Sequence, residues 1–302
     1  MINKKKILNK ITGVFGYEIE RRTESVHWME NYRRNVSWKI SLPKIDLINK
    51  KKRFWDLLLY EEKSLPVKPV YLNIGAGSFF HPRWHNLDWV SEKYAYQQKS
   101  VNIEMDLKSK EPFPVKQNSV KIAYTSHLIE HLPQHCVEHI FKETYKVLKQ
   151  GGIFRITCPD IDLEYNAYIN GKSWLGRSVS SATSKEQIFL ERFAYVLTEK
   201  ANFNQTKKYT DEEIKSVFFS KSKEEALDYF INQIPDEAND AYPGAHMNWF
   251  NENKLFGMLK KVGFTNIKSS RFGQSAAIQL RNVDFFDNTH PYISLYVECY
   301  KT

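Results

Sequence analysis

The chain has 302 residues, 42% of them hydrophobic and 14% aromatic, which suits one large core with an appendage and excludes a disordered chain. No stretch approaches the roughly 20 apolar residues of a membrane-spanning helix, and no apolar signal region follows the lysine-rich start MINKKKILNK, so a cytoplasmic protein is expected. The formal charge is +9, concentrated at one end: residues 1–65 hold 15 Lys and Arg against 8 Asp and Glu.

That basic stretch is expected to be a helical arm with a solvated charged face, its Trp28, Tyr32, Trp38, Phe54 and Trp55 packing on a body. It carries no RNA-binding signature such as RNP1, so nucleic acid is not the expected partner. Cys136, Cys158 and Cys299 are odd in number and widely spaced, the pattern of reduced, packed thiols.

PVKP at 66–69 marks a boundary, because proline removes a backbone donor and biases its predecessor toward extended geometry. VYLNI (70–74) reads as a buried strand followed by the loop GAGSFFHPRW. Further strands are expected at HNLDWV (85–90), SVNIEMD (100–106) and SVKIAYT (119–125). A short helix is expected to open at Ser126 and to be cut by Pro133. A second helix starts near Gln134 with Val137, Ile140, Phe141, Thr144 and Leu148 on one face, stopping at Gly151 before the fifth strand, GIFRITCP.

Residues 161–245 turn to polar and aromatic helical segments, read as a helical cap insert. NENKLFGMLKKVGF is an amphipathic helix ending at Gly263, and FTNIKSSRF and ISLYVECYK are closing strands. The expected organisation is a basic helical arm (1–66), a core in two pieces (67–160 and 246–302) and the cap (161–245). Strands alternating with helices or crossover loops predict an α/β fold with a mostly parallel sheet covered on both faces, and ligands in such sheets bind beyond the carboxyl ends of the strands.

Three features carry chemistry. Gly75 and Gly77, lacking a Cβ, let backbone N–H groups approach a ligand after the first strand. Asp88, ending the second strand, is placed to accept from both ribose hydroxyls of an adenosine-containing cofactor, and Asp106, past the third, from an adenine amino group with Leu107 packed on the ring. The five residues HLIEH, with His127, Glu130 and His131 at helical spacing, match a zinc-peptidase signature. Pro133 leaves too short a helix for that site, so a peptidase is rejected. Only ten residues separate Gly77 from Asp88 and the third glycine of a dinucleotide fingerprint is absent, which argues against an NAD-type dehydrogenase.

LNIGAGSFFHPRWHNLDW, MDLKSKEPFPVKQNSV, SHLIEHL, KVLKQGGIFRITCPD and HMNWFNENKLFGMLKKVGF, in this order, resemble the motifs of class I S-adenosylmethionine-dependent methyltransferases. The resemblance covers roughly residues 70–160 and 246–301 and extends to bacterial methyltransferases of surface-polysaccharide synthesis. It implies a Rossmann-like, seven-stranded, mostly parallel sheet, with S-adenosyl-L-methionine as cofactor held by Gly75, Gly77, Asp88, Asp106, Leu107, Ser126 and His127. Asn73 stands where many members carry an acidic residue.

The implied reaction is O-methylation of a sugar or glycan hydroxyl, with His131 the first candidate for the base, His246 the second, and Glu130 orienting one of them. Tyr165, Tyr168 and Trp174 of the cap either stack on sugar rings or form the cap's own core, and Asp160 is a turn residue or touches the acceptor. The basic arm is a candidate for peripheral contact with a membrane or with glycan-assembly enzymes. Two alternatives stay open. One is an RNA or small-molecule methyltransferase holding a metal at His127, Glu130 and His131, a set that resembles the E-x-x-E-H motif of some metal-dependent members, with His246 as a further ligand. The other is a non-catalytic scaffold in glycan assembly.

Overall fold

The structure, a computed structural model, describes residues 18–20, 39–41, 70–90, 101–171, 184–242 and 244–302. The chain divides into two compact units, residues 1–63 with 173–178, and residues 64–172 with 179–302. In the first, the described residues are β1 (Glu18–Glu20) and β2 (Lys39–Ser41), an antiparallel pair with Ile19 opposite Ile40. These six residues are strands where a helical arm is expected; the rest of that expectation, with Trp174, lies outside the described residues.

The second unit is built on a seven-stranded sheet. Its strands are β3 (Tyr71–Ile74), β4 (His85–Asp88), β5 (Ile103–Glu104), β6 (Val120–Ser126), β7 (Leu148–Pro159), β8 (Thr265–Ser269) and β9 (Ser294–Tyr300). The order across the sheet is β5-β4-β3-β6-β7-β9-β8. The pairs from β5 to β7 are parallel, and β9 runs antiparallel to β7 and β8. The chain therefore builds outward from β3 in one direction, then returns to its other side with β6. That reversal makes the carboxyl ends of β3 and β6 the topological switch point, where a ligand crevice forms.

Alternation along the strands assigns the two faces. Leu72 and Ile74, then Phe154, Ile156 and Cys158, then Val297 and Cys299 enter the main core. That face is covered by α1 (Gln134–Val147), which contributes Val137, Ile140 and Phe141, and by α7 (Glu252–Val262), which contributes Leu255, Met258 and Leu259. On the opposite face Tyr71 and Tyr124 lie under loop aromatics, with Trp84 5.5 Å from Tyr71 and Phe286 5.2 Å from Tyr124 between ring centres. Loops thus cover much of this face.

Other boundaries follow local chemistry. Asn251 caps α7 by accepting from the Lys254 N–H at 2.9 Å, and Gly263 ends it at φ +111°, a left-handed turn that costs glycine little. Gly151 does not stop α1 as expected. The helix ends at Leu148, already extended, and Gly151 lies inside β7 at φ +73°.

The expected insert forms α2 (Ile161–Ile169), α3 (Lys185–Glu191), α4 (Asp211–Ser220), α5 (Lys223–Ile231) and α6 (Ala238–Ala241). Thr210 with Glu213 and Ser222 with Glu225 form reciprocal caps at α4 and α5. These elements share their own apolar cluster around Phe189, Phe193, Leu227 and Phe230. Tyr168 stacks on Phe189 at 4.8 Å and Tyr165 packs beside them, so both tyrosines belong to the cap's core. All three thiols are free and buried.

Candidate active site

The carboxyl ends of β3, β4 and β5 form one edge, and three of the sequence-expected cofactor residues meet there. The Gly77 N–H donates to Asp88 Oδ2 and the Trp89 N–H to Asp88 Oδ1, both at 2.8 Å. The Met105 N–H donates to the Asp88 carbonyl at 3.0 Å, which brings the next residue, Asp106, beside it. Burial raises the Asp88 carboxyl, while the N–H groups of Gly77, Trp89 and Ala76 act the other way. Asp106 is exposed and accepts from the Lys108 N–H at 2.8 Å.

The glycines differ. Both have positive φ, +69° and +53°. A Cβ on Gly77 would meet nothing within 4 Å, whereas one on Gly75 would lie 2.5 Å from the Leu128 side chain. The loop is therefore open for close ligand approach at Gly77, and Leu128 covers it at Gly75. Leu107 is 5% exposed and packed in the main core, not open to a ring in the crevice. Asn73 is buried and donates to Asn86 Oδ1 at 3.3 Å. The open backbone at Gly77 with the Asp88 and Asp106 carboxylates beside it fits the adenosine end of a cofactor; Leu107 adds no exposed surface to it.

The second half of the site hangs from β6. The ladder runs through Ser126, opposite Thr157, so no helix opens at Ser126 as expected. Thr157 Oγ1 donates to Ser126 Oγ at 2.8 Å. The chain reverses at His127, φ +51°, and forms one 3-10 turn over Ile129–His131. That turn drops Glu130 inside with a side chain 2% exposed, while His127 Nδ1 stands 3.0 Å and His131 Nε2 3.8 Å from its Oε1. These are ion-pair contacts, and neither carboxylate oxygen receives a hydrogen bond of good geometry. Burial raises the Glu130 carboxyl, but His127 first and then His131 and His246 outweigh it and hold it at about 2.

Residues 246–248 arrive from the far end of the insert and are fixed to this turn. The Glu130 carbonyl accepts from the Met247 and Asn248 N–H groups at 2.9 and 3.2 Å. His131 Nδ1 lies 3.1 Å from the Ala245 carbonyl, and His246 Nδ1 2.6 Å from the Arg192 carbonyl. A carbonyl only accepts, so both Nδ1 atoms bear the proton and Nε2 is the basic atom of each ring. The rings are 4.9 Å apart at 71°. Burial, with His131 next to it, pushes His246 down to about 4.

Glu130 and His246 also line a cavity of about 20 Å³, with Glu164, Arg192, Asn248, Trp249 and Phe250 among its walls. Glu164 and Arg192 are not evident as site residues in the sequence, since each is one polar position in an ordinary helical segment. The only available signal is a charge set among apolar neighbours, as in DLEYNAYI and FLERFAYV. His127 keeps its Nδ1 on Glu130 and places its other nitrogen, Nε2, 2.7 Å from Ser294 Oγ. Asp160 caps α2 by accepting from the Asp162 N–H at 3.0 Å.

For a metal, the convergent set is Glu130, His131 and His246, whose ligand atoms all lie within 4.8 Å of one another. His246 takes the place that the expected set gave to His127.

Residues 84–156 match the family model described as methyltransferase domain. A comparison with curated proteins gave no match. Among solved structures, a methyltransferase of Thermotoga maritima is 15% identical, with 84% of this chain and 96% of that one covered at a TM-score of 0.36. One from Mesorhizobium loti is 15% identical over 78% and 93% at 0.38, and one from Archaeoglobus fulgidus 12% over 85% and 94% at 0.38. All three are described as S-adenosylmethionine-dependent; likenesses so distant carry no weight for function. The domain match supports a methyl-transfer enzyme whose donor is S-adenosylmethionine.

Proposed function

We propose that the chain methylates a hydroxyl of a sugar or glycan, with S-adenosylmethionine as donor. The observation that carries this reading is the convergence of the buried Glu130 with the half-buried His131 and His246 beside a small cavity whose mainly apolar walls carry a few charged groups. Bound beyond Gly77, Asp88 and Asp106, S-adenosylmethionine supplies an electrophilic methyl carbon. The protein must then align the acceptor oxygen, exclude water and take its proton.

An acceptor hydroxyl beside His246 meets a neutral imidazole with Nε2 as its proton acceptor. His131 stands next to it as a second acceptor, and the Glu130 carboxylate stabilises positive charge that develops on either ring. The cap that closes over these groups keeps the local dielectric low, which strengthens each of these interactions.

Calorimetry with S-adenosylmethionine and S-adenosylhomocysteine tests the cofactor site. Mass spectrometry of nucleotide-sugars and glycans treated with labelled donor tests the acceptor. Binding without transfer to any hydroxyl would favour a scaffold and end the catalytic reading. The convergence of Glu130, His131 and His246 favours a second reading, in which the trio holds a divalent ion that activates the hydroxyl. Activity abolished by dialysis against a chelator and restored by zinc would select that reading.

A further inference from the structure

The small cavity beside His246 has walls of unusual chemistry. Both Glu130 oxygens, and the Nε and Nη2 atoms of Arg192, are buried without a hydrogen-bond partner. Arg192 is held in place by Glu164, Nε to Oε2 3.5 Å, with side chains 12% and 5% exposed. Burying polar atoms without a hydrogen bond is costly even where an ion pair stands nearby, so native proteins give them a water or a ligand atom. At about 20 Å³, the space takes one water-sized group.

The walls restrict what that group is. A carboxylate or phosphate would accept from Arg192 but meet two carboxylates, Glu130 and Glu164. An ammonium would pair with the carboxylates but meet the guanidinium, and a methyl would leave all the polar atoms unpaired. A hydroxyl satisfies both sides, since its oxygen accepts a hydrogen bond from Arg192 and its O–H can donate one to a carboxylate.

Resting on the sugar-methylation reading, we propose that Arg192, positioned by Glu164, forms a hydroxyl-selective subsite that makes the acceptor an uncharged polyol, at the part entering the cap, and not a uronate or an amino sugar. Arg192 and Glu164 both come from the cap insert, so selectivity is supplied by the cap and methyl transfer by the core. The guanidinium accounts for the choice of residue: a planar fork presents two fixed donors, and a lysine presents one mobile charge.

The test uses the full chain with labelled donor and a panel of neutral nucleotide-sugars, the matching uronates, amino sugars and singly deoxygenated analogues. Neutral sugars are expected to be preferred by about 10²-fold or more, and one deoxy position to lose about 10²- to 10⁴-fold. Arg192→Met should lower kcat/KM for the neutral sugar about 10²-fold, chiefly through KM, with the donor Kd unchanged. Arg192→Lys should recover part of the loss, and Glu164→Gln should raise KM alone. The proposal is overturned if Arg192→Met keeps kcat/KM within about twofold whatever its melting temperature, the behaviour of a cavity holding only structural water. Equal turnover of a uronate or amino sugar also overturns it. A wild-type enzyme that methylates no sugar in the panel refutes the parent reading, and this inference with it.

Discussion

At Glu130 the balance of two opposed effects decides the chemistry. Full burial would neutralise a lone carboxyl, yet the adjoining imidazoles keep it ionised down to about pH 2. His246 is the mirror case, held neutral to about 4 by its burial. The signs give a stability window for each group. Both are depressed, so each contributes fully above its unfolded value, 4.5 for Glu130 and 6.5 for His246, and loses its contribution as pH falls toward the folded value. Denaturant titrations of the wild type should show stability falling between pH 6.5 and 4 by up to about 3 kcal/mol, the His246 share. His246→Gln should flatten that slope. In turnover, His246→Gln and His131→Gln are expected to lose about 10²- to 10⁴-fold in kcat for the true base and less for its neighbour, with donor affinity unchanged in both. Full activity in both variants would remove the imidazoles from the proton path. Asp88→Ala removes the carboxylate that holds the Gly77 N–H and should weaken donor binding at least about tenfold by calorimetry, a loss of about 1.4 kcal/mol.

Among the elements, the turn after β6 is where sequence and structure part. SHLIEH has helical spacing and reads as a helix start, but the pairing of Ser126 with Thr157 carries the strand one residue further. His127 then reverses the chain in a left-handed conformation that a histidine adopts at a cost of about 1–2 kcal/mol. No local preference announces that choice, because the β6–β7 ladder makes it. The core helices were legible, since their apolar positions recur at helical spacing and α7 has a capping Asn and a terminal Gly. The meeting of Gly77, Asp88 and Asp106 at one sheet edge was legible because strand ends and acidic residues mark it. The cover that Leu128 places over Gly75 was not, because it joins residues 53 apart in sequence. That contact predicts a double-mutant result. Gly75→Ala should destabilise through both its positive φ and the clash with Leu128. In a Leu128→Ala background only the φ cost remains, so the cycle should show a favourable coupling of about 0.5–3 kcal/mol. Strict additivity would mean that the loop moves away from Leu128.

On the scale of the whole molecule, the second sheet face depends on one charge. Arg155 is 0% exposed in the middle of β7. Its Nε donates to Asp287 Oδ1 at 3.0 Å and its Nη1 to Glu298 Oε1 at 3.0 Å. Further donations reach Ser270 Oγ and the carbonyls of Gln274 and Arg271, so the guanidinium ties β7 to β9 and to the loop that covers this face. In GIFRITCP it looks like an ordinary outward strand residue, and its carboxylate partners lie 132 and 143 residues away, beyond any periodic signal. Arg155→Met would leave Asp287 and Glu298 buried without their counter-charge, a loss of about 3–5 kcal/mol. At about 2–4 °C per kcal/mol for a unit of this size, the melting temperature should drop by about 10 °C. A charge argument also predicts how the loss varies. The stranded carboxylates can relieve their burial by taking up protons, so the gap between variant and wild type should narrow as pH is lowered from 7 to 5. A replacement that removed only packing would show a gap that does not depend on pH, and that result would reduce Arg155 to a space-filler.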